Sequence, residues 1–361
     1  MIKLLVIDDS ALMRKLLGEL FAREPDFELS FARNGLEGLE RLQSFSPDVV
    51  TLDVNMPQMD GLACLDRIMI ERPCPVVMVS SHTEAGAEAT LEALKLGAVD
   101  FITKPRGAVS LGMDELAPRL VEKVRAAAGA RLRNSMRLKD RVRHRLRGGR
   151  APDQRKVSAP SAAAAVESAA TGDGLVLIGA STGGPLALEA VLEPLPATFP
   201  WPILIAQHMP AGFTGAFARR LDRLSALSVT EVVEPNSLHS GCVYIGRGDA
   251  DIIISRRRSG LVAMAAPAGR DYPWHPSTDR LVRSAMDHVP ASRLIGILLT
   301  GMGNDGAAAM TGLRTAGGRT IAEAEETAIV WGMAGRLVEA NGASWVLPLG
   351  SIAARLQELV P

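Results

Sequence analysis

An apolar run, Leu175 to Ile178, breaks at Gly179 into Ala180-Ser181-Thr182-Gly183-Gly184-Pro185 and continues as Leu186-Ala187-Leu188-Glu189-Ala190-Val191. The run has the length and composition of a buried strand, and the residues behind it those of a helix. Ser181 therefore falls on the turn between them, with Gly179 two residues before it and Gly183 two residues after. The Gly-x-Ser-x-Gly spacing lifts a serine clear of a sheet, and the helix start behind it aims free N–H groups at developing negative charge. Two other readings fit the same turn: a phosphate-cradling loop of a dinucleotide fold, and a glycine-rich loop with a buried serine. The dinucleotide reading requires an acidic residue about 20 positions on. The next apolar run, Ile203-Leu204-Ile205-Ala206, ends in Gln207-His208. A histidine stands where the carboxylate is needed, which favours chemistry.

With 361 residues the chain accommodates two domains of ordinary size. Lys plus Arg equals Asp plus Glu at 40 each, and aromatic residues make up only 4%, so neither charge nor stacking surface points to nucleic acid. Cys64, Cys74 and Cys242 are odd in number and lack metal-ligand spacing, as free thiols in a reducing compartment would. Asp8 and Asp9 arrive too early for a signal peptide, and no apolar run approaches the ~18 residues of a membrane span. The expectation is a cytoplasmic protein.

Residues 1–128 alternate strand-like and helix-like patterns, with apolar runs at Ile2–Ile7, Phe27–Phe31, Val49–Leu52, Val76–Val79 and Val99–Ile102. Such alternation predicts a parallel sheet covered on both faces, with ligands gathering beyond the carboxyl ends of its strands. Those ends carry Asp8-Asp9, Asp53, Ser80-Ser81 and Lys104-Pro105. Three carboxylates in one crevice require a compensating hard cation; magnesium fits, commonly together with a phosphate that a nearby lysine also contacts. The stretches Asp8-Asp9-Ser10-Ala11-Leu12-Met13-Arg14, Leu52-Asp53-Val54-Asn55-Met56-Pro57 and Thr103-Lys104-Pro105 resemble response-regulator receiver domains of the flavodoxin-like, five-stranded type. The resemblance implies that Asp53 accepts a phosphoryl group from a histidine kinase. It also implies Mg2+ ligands at Asp8, Asp9, Asp53 and the backbone carbonyl of Asn55, a switch hydroxyl at Ser80 and a phosphate contact at Lys104.

Residues 129–173 begin crowded with Arg and Lys and end in Ala, Ser, Gly and Pro, the composition of a solvated linker. A second α/β domain, residues 174–361, reads as doubly wound and mostly parallel. Its strands fall at Leu175–Ile178, Ile203–Ala206, Ser228–Val232, Leu294–Thr300, Arg319–Ala322 and Ser344–Leu347. A β-hairpin is expected from Val243–Ile245, Ile252–Ser255 and Leu261–Ala265, turning at Gly248-Asp249 and Ser259-Gly260.

A nucleophilic serine needs a base, and the base needs an orienting carboxylate. His208 ends the strand after Ser181's own strand–helix unit; His275, in Trp274-His275-Pro276-Ser277, is the second choice and can instead line a substrate groove. Asp305 follows the strongest apolar strand on a glycine-rich loop, Gly301-Met302-Gly303-Asn304-Asp305-Gly306, where capping a helix is its alternative role. Ile178-Gly179-Ala180-Ser181-Thr182-Gly183-Gly184-Pro185, Gln207-His208-Met209 and Leu299-Thr300-Gly301-Met302-Gly303-Asn304-Asp305-Gly306 resemble the catalytic domain of the chemotaxis-type protein-glutamate methylesterases. That resemblance implies Ser181 as nucleophile, His208 as base and acid, Asp305 as orienting carboxylate, and the N–H groups of Met302 and Thr182 as oxyanion donors. It further implies hydrolysis of glutamate methyl esters, and in some members deamidation of glutamines, on methyl-accepting chemoreceptors. No cofactor is implied in this domain, no nucleic-acid partner, and only a peripheral relation to membrane receptors. By the family's precedent the receiver covers the esterase groove until Asp53 is phosphorylated. Gly246-Arg247-Gly248, Glu323-Ala324-Glu325-Glu326 and Gly332-Met333-Ala334 depart from the family's usual residues. Rival readings are a nucleic-acid-binding regulator using the basic linker and a nucleotide site at Gly179–Gly184.

Overall fold

The structure, a computed structural model, describes residues 1–81, 83–104, 109–132 and 174–360. Most of the expected linker, residues 133–173, lies outside the described residues. The first unit runs β1 (Ile2–Ile7), α1 (Ala11–Phe21), β2 (Phe27–Ala32), α2 (Gly35–Phe45), β3 (Val49–Asp53), α3 (Gly61–Glu71), β4 (Val76–Ser80), α4 (Glu84–Leu96), β5 (Asp100–Thr103) and α5 (Val109–Ala128). Its five strands pair in parallel in the order β2-β1-β3-β4-β5. Polar side chains start the helices where capping chemistry requires them. Asn34 Oδ1 accepts from Glu37 N at 2.9 Å, and Asp60 Oδ1 accepts from Ala63 N at 2.7 Å. Strand order reverses between β1 and β3, which places Asp8 and Asp53 at the crevice of an open α/β sheet.

The second unit runs β6 (Leu175–Ala180), α6 (Gly184–Leu192), β7 (Ile203–Gln207), α7 (Thr214–Leu224), β8 (Ser228–Val232), β9 (Asn236–Ser237), β10 (Cys242–Gly246), β11 (Ala250–Arg257) and β12 (Gly260–Pro267). It continues through α8 (Thr278–Met286), β13 (Leu294–Leu298), α9 (Ala307–Thr315), β14 (Arg319–Glu323), α10 (Met333–Glu339), β15 (Trp345–Leu347) and α11 (Leu349–Leu359). Seven strands pair in parallel as β15-β14-β13-β6-β7-β10-β8. Strand β6 is the switch point: the chain builds outward on one side through β7 and on the other through β13.

Two expectations need correction. Val243–Ile245 is not part of the hairpin; it lies in β10, parallel to β7 and β8, because these residues are buried on both faces and need a neighbour on each side. The hairpin is β11–β12 alone, joined by the two-residue β9 into a small antiparallel sheet. The expected strand at Leu294–Thr300 also stops early, at Leu298. Beyond it, Thr300 N donates to the Glu323 carboxylate at 2.8 Å instead of to a neighbouring strand.

The two units share packing. Ala87 and Leu91 of α4 belong to one apolar cluster with Leu188 of α6 and Phe213. Phe101 of β5 stacks on Phe213 with ring centroids 4.6 Å apart. Ile329 packs into the cluster that contains Leu120 and Val124 of α5. Among the described residues no helix is long and apolar enough to cross a membrane.

Candidate active site

Parallel register decides which strand ends meet. Ala180 of β6 pairs with Gln207 of β7, and Gly179 pairs with Leu298 of β13. The residues that follow these strands, Ser181, His208 and the 299–305 loop, are therefore neighbours at one sheet edge. The turn behind Ser181 needs Gly183, whose φ of +77° lies in the left-handed region. The facing loop comes so close that a Cβ on Gly301 would sit 2.6 Å from Ser181 Cβ. Two backbone bonds fix the approach: Ser181 N donates to Thr300 O at 3.0 Å, and His208 N donates to Ala180 O at 2.9 Å.

His208 and Asp305 are joined by a 2.8 Å bond between Nε2 and Oδ2. Asp305 also accepts from Ser277 Oγ at 2.9 Å, Thr278 N at 2.6 Å and Asp279 N at 3.0 Å. Burial alone would push its carboxyl up, but the His208 bond and charge and these backbone donors outweigh burial and hold it below the ordinary value. An ionised Asp305 accepts a hydrogen bond from Nε2–H, the tautomer that leaves the Nδ1 lone pair free. Nδ1 is buried and has no hydrogen-bond partner among the described residues. The nitrogen turned to the carboxylate is thus the opposite one from that of the serine-protease triad. The N–H groups of Thr182 and Met302 donate to no backbone or side-chain acceptor among the described residues, as oxyanion donors in waiting would.

In the first unit Asp8, Asp9 and Asp53 bring carboxylate oxygens within 4.8 Å of one another. Lys104 Nζ lies 2.8 Å from Asp53 Oδ2 and 3.2 Å from Asp8 Oδ2. Burial pushes the Asp53 carboxyl above its ordinary value; the Lys104 bond offsets part of that and the Asp8 charge adds to it. Asp8 Oδ2 is buried without a hydrogen bond. Three clustered carboxylates that share one ammonium, an oxygen-only donor set, fit a hard divalent cation such as Mg2+. Asn55 N approaches Asp53 Oδ1 at 3.4 Å. Ser80 is not drawn into this group: its hydroxyl donates to Gly86 O at 3.1 Å.

The receiver-like unit touches the residue next to the serine. Asp100, at the start of β5, accepts from Thr182 Oγ1 at 2.5 Å, and its other oxygen accepts from Lys123 Nζ of α5 at 2.9 Å. Arg119 Nη2 donates to Pro273 O at 3.3 Å, and Arg131 pairs with Glu325 at 2.8 Å. Ser181 is 4% exposed. Sequence reasoning missed Asp100, Thr300, Ser277 and Asp251. Only Ser277 carried a local signal, as an N-cap three residues before Arg280. His275 is not in the Ser181–His208–Asp305 group; its Nδ1 bonds Asp251 at 2.9 Å.

A family model described as CheB methylesterase matches residues 176–356, and one described as response regulator receiver domain matches residues 4–112. The chain is 58% identical over 358 residues to protein-glutamate methylesterase/protein-glutamine glutaminase 2 of Rhodopseudomonas palustris strain BisB18, covering 99% of this chain and 98% of the relative. It is 52% identical over 357 residues to the corresponding protein 3 of Rhodospirillum rubrum, covering 99% and 95%. The crystal structure of the Thermotoga maritima CheB methylesterase catalytic domain aligns with a TM-score of 0.50 at 36% identity, over 52% of this chain and 98% of that one. With both halves matched in the same order and full-length relatives above half identity, the chain belongs to the CheB methylesterase family, as an esterase joined to a response-regulator receiver domain.

Proposed function

We propose that this esterase removes methyl groups from glutamate side chains of chemoreceptors, and deamidates receptor glutamines, under control of phosphorylation at Asp53. The observation that carries the reading is the convergence of three parallel strand ends on Ser181, with His208 tied to Asp305 at 2.8 Å. The Ser181 oxygen attacks the ester carbonyl carbon as its proton passes to His208 Nδ1. The carbonyl oxygen gains the negative charge and is met by the Thr182 and Met302 N–H groups. Collapse expels methoxide, which takes the proton from His208 and leaves as methanol. Water then attacks the acyl-enzyme with the same histidine as base, releasing the glutamate carboxyl and restoring Ser181. An amide follows the same course with ammonia as leaving group. The test is methanol release from methylated receptor membranes, with and without a phosphodonor and Mg2+; a chain that releases none from any such membrane is not this enzyme.

Control follows from β5, which carries Asp100 at its start and leads directly into Lys104. Bound Mg2+, held by Asp8, Asp9, Asp53 and the Asn55 carbonyl, would neutralise charge around the phosphoryl group. A phosphoryl group on Asp53 competes for Lys104, now paired with two carboxylates, and so disturbs the strand that holds Thr182. Replacing Asp100 by alanine removes the bond to Thr182. The unphosphorylated rate is expected to rise about tenfold, the equivalent of about 1.4 kcal/mol, and the gain from a phosphodonor to shrink to match. Steady-state methanol release with and without phosphodonor measures both.

Asp53→Asn is expected to abolish the phosphodonor response. It also removes a buried carboxylate held in its charged form at a cost. With the folded pKa above the unfolded one, the native state binds more protons and loses stability as pH rises through that range. Asp53→Asn is therefore expected to melt above wild type near neutral pH, with the gap closing in acid. Thermal melts from about pH 3 to pH 7 check the sign.

A further inference from the structure

Residues 268–277 join the small antiparallel sheet to α8 and carry Trp274 onto His208. The indole lies parallel to the His208 ring, with centroids 5.5 Å apart and planes 11° from each other. Its Nε1 edge stands against Gly303, where an added Cβ would come within 3.4 Å. Trp274 thus fills the space between His208 and the loop that carries Met302. The segment is pinned by Asp251 of β11, which is fully buried. One carboxylate oxygen accepts from His275 Nδ1 at 2.9 Å and Ser277 N at 2.7 Å. The other accepts from Arg280 Nη1 at 2.6 Å and Gly269 N at 3.2 Å. These four donors bracket Trp274 on both sides in the sequence.

We propose that Trp274, held by Asp251, is the positioning residue that fixes the plane of the His208 imidazole and stabilises its protonated form. This rests on the reading of His208 as the base. A single bond at Nε2 leaves the ring free to swing, and swinging would carry Nδ1 away from Ser181. The indole face blocks that motion. It also presents the negative face of a π-system to a ring that becomes cationic only as the serine proton arrives. An interaction strengthened in that step raises kcat rather than tightening substrate binding. Among the described residues the ionisable groups near the ring are Asp305, Glu122 of α5, which is electrostatically coupled to His208, and, on the Trp274 segment and its anchor, His275, Asp279, Arg280 and Asp251.

The test uses the full-length chain. Trp274→Leu is expected to lower kcat for methanol release about tenfold with KM within about twofold, and Trp274→Phe to retain most of the rate. Tryptophan emission gives a second readout, because a protonated imidazole stacked on an indole quenches it. Wild-type emission is expected to fall in a step when the solution is acidified. That step should vanish in Trp274→Phe and in His208→Gln but persist in His275→Gln. Trp201, Trp331 and Trp345 remain to report a retained fold. An unchanged kcat in Trp274→Leu, or a step that survives His208→Gln, overturns the proposal. If wild type releases no methanol, the esterase reading fails first, while the emission step still decides whether the stack forms.

Discussion

Ser181→Ala is expected to lower kcat for methanol release by about 10⁶-fold, and adding His208→Ala to it is expected to change little more. In the proposed reaction the two side chains act on one proton, so removing either removes the step that both perform. The residue of catalysis left behind comes from the Thr182 and Met302 N–H groups and from substrate binding, worth about 10³- to 10⁴-fold over water. Single-turnover assays on methylated membranes, with a phosphodonor present so that the receiver does not limit the rate, measure the drop. A double variant far slower than either single one would mean that Ser181 and His208 work separately.

Asp305→Asn is expected to cost about 10⁴-fold in kcat with little change in KM. The reason lies in the three donors that face the carboxylate besides His208, from Ser277, Thr278 and Asp279. An asparagine that turns its single carbonyl oxygen to Ser277 and Asp279, the two donors on Oδ1, presents its NH2 to His208 and to the Thr278 N–H, which share Oδ2. Nε2 must then accept, the ring proton moves to Nδ1, and the nitrogen that should take the Ser181 proton is already occupied. The same substitution alters acid stability. The Asp305 carboxyl is held below its ordinary value, so between the folded and unfolded pKa values the native state binds fewer protons than the unfolded chain. Its contribution is present above the usual carboxylate value of about 4 and is lost as pH falls through the lower, folded one. Asp305→Asn lacks that acid-labile component, and urea melts of the two proteins from neutral to acid pH show it as a difference in slope.

Much of this was legible in the chain because the information is local. Strand-sized apolar runs such as Ile2–Ile7 and Ile203–Ala206 coincide with β1 and β7, and a parallel sheet delivers the residues after each strand to one edge. Ser181, His208 and Asp305 could be read together for that reason. Val243–Ile245 was misplaced because an apolar triplet beside a hairpin pattern carries no mark of which sheet will bury it. Asp251 and Asp100 were invisible for a different reason. The Asp251 partners lie 18 to 29 residues away and the Asp100 partners Lys123 and Thr182 lie 23 and 82 away, and nothing near either aspartate in the sequence encodes such a bond. Glu323 was noticed only as an unusual residue, whereas in the fold its buried carboxylate ends β13 by accepting from Thr300 N.

The bond between Thr182 and Asp100 puts two occupants in competition for one place. If, as proposed, a receptor segment reaches Ser181 only by displacing the receiver, thermodynamic reciprocity runs both ways. If phosphorylation at Asp53 makes room for substrate, occupancy of the cleft makes the phosphorylated state easier to reach and to keep, by the same factor. A receptor array rich in methylated sites would then act as an effector of its own demethylating enzyme, holding the receiver in its charged, open form. As the sites are emptied that support is withdrawn, and the enzyme closes without any separate signal to stop.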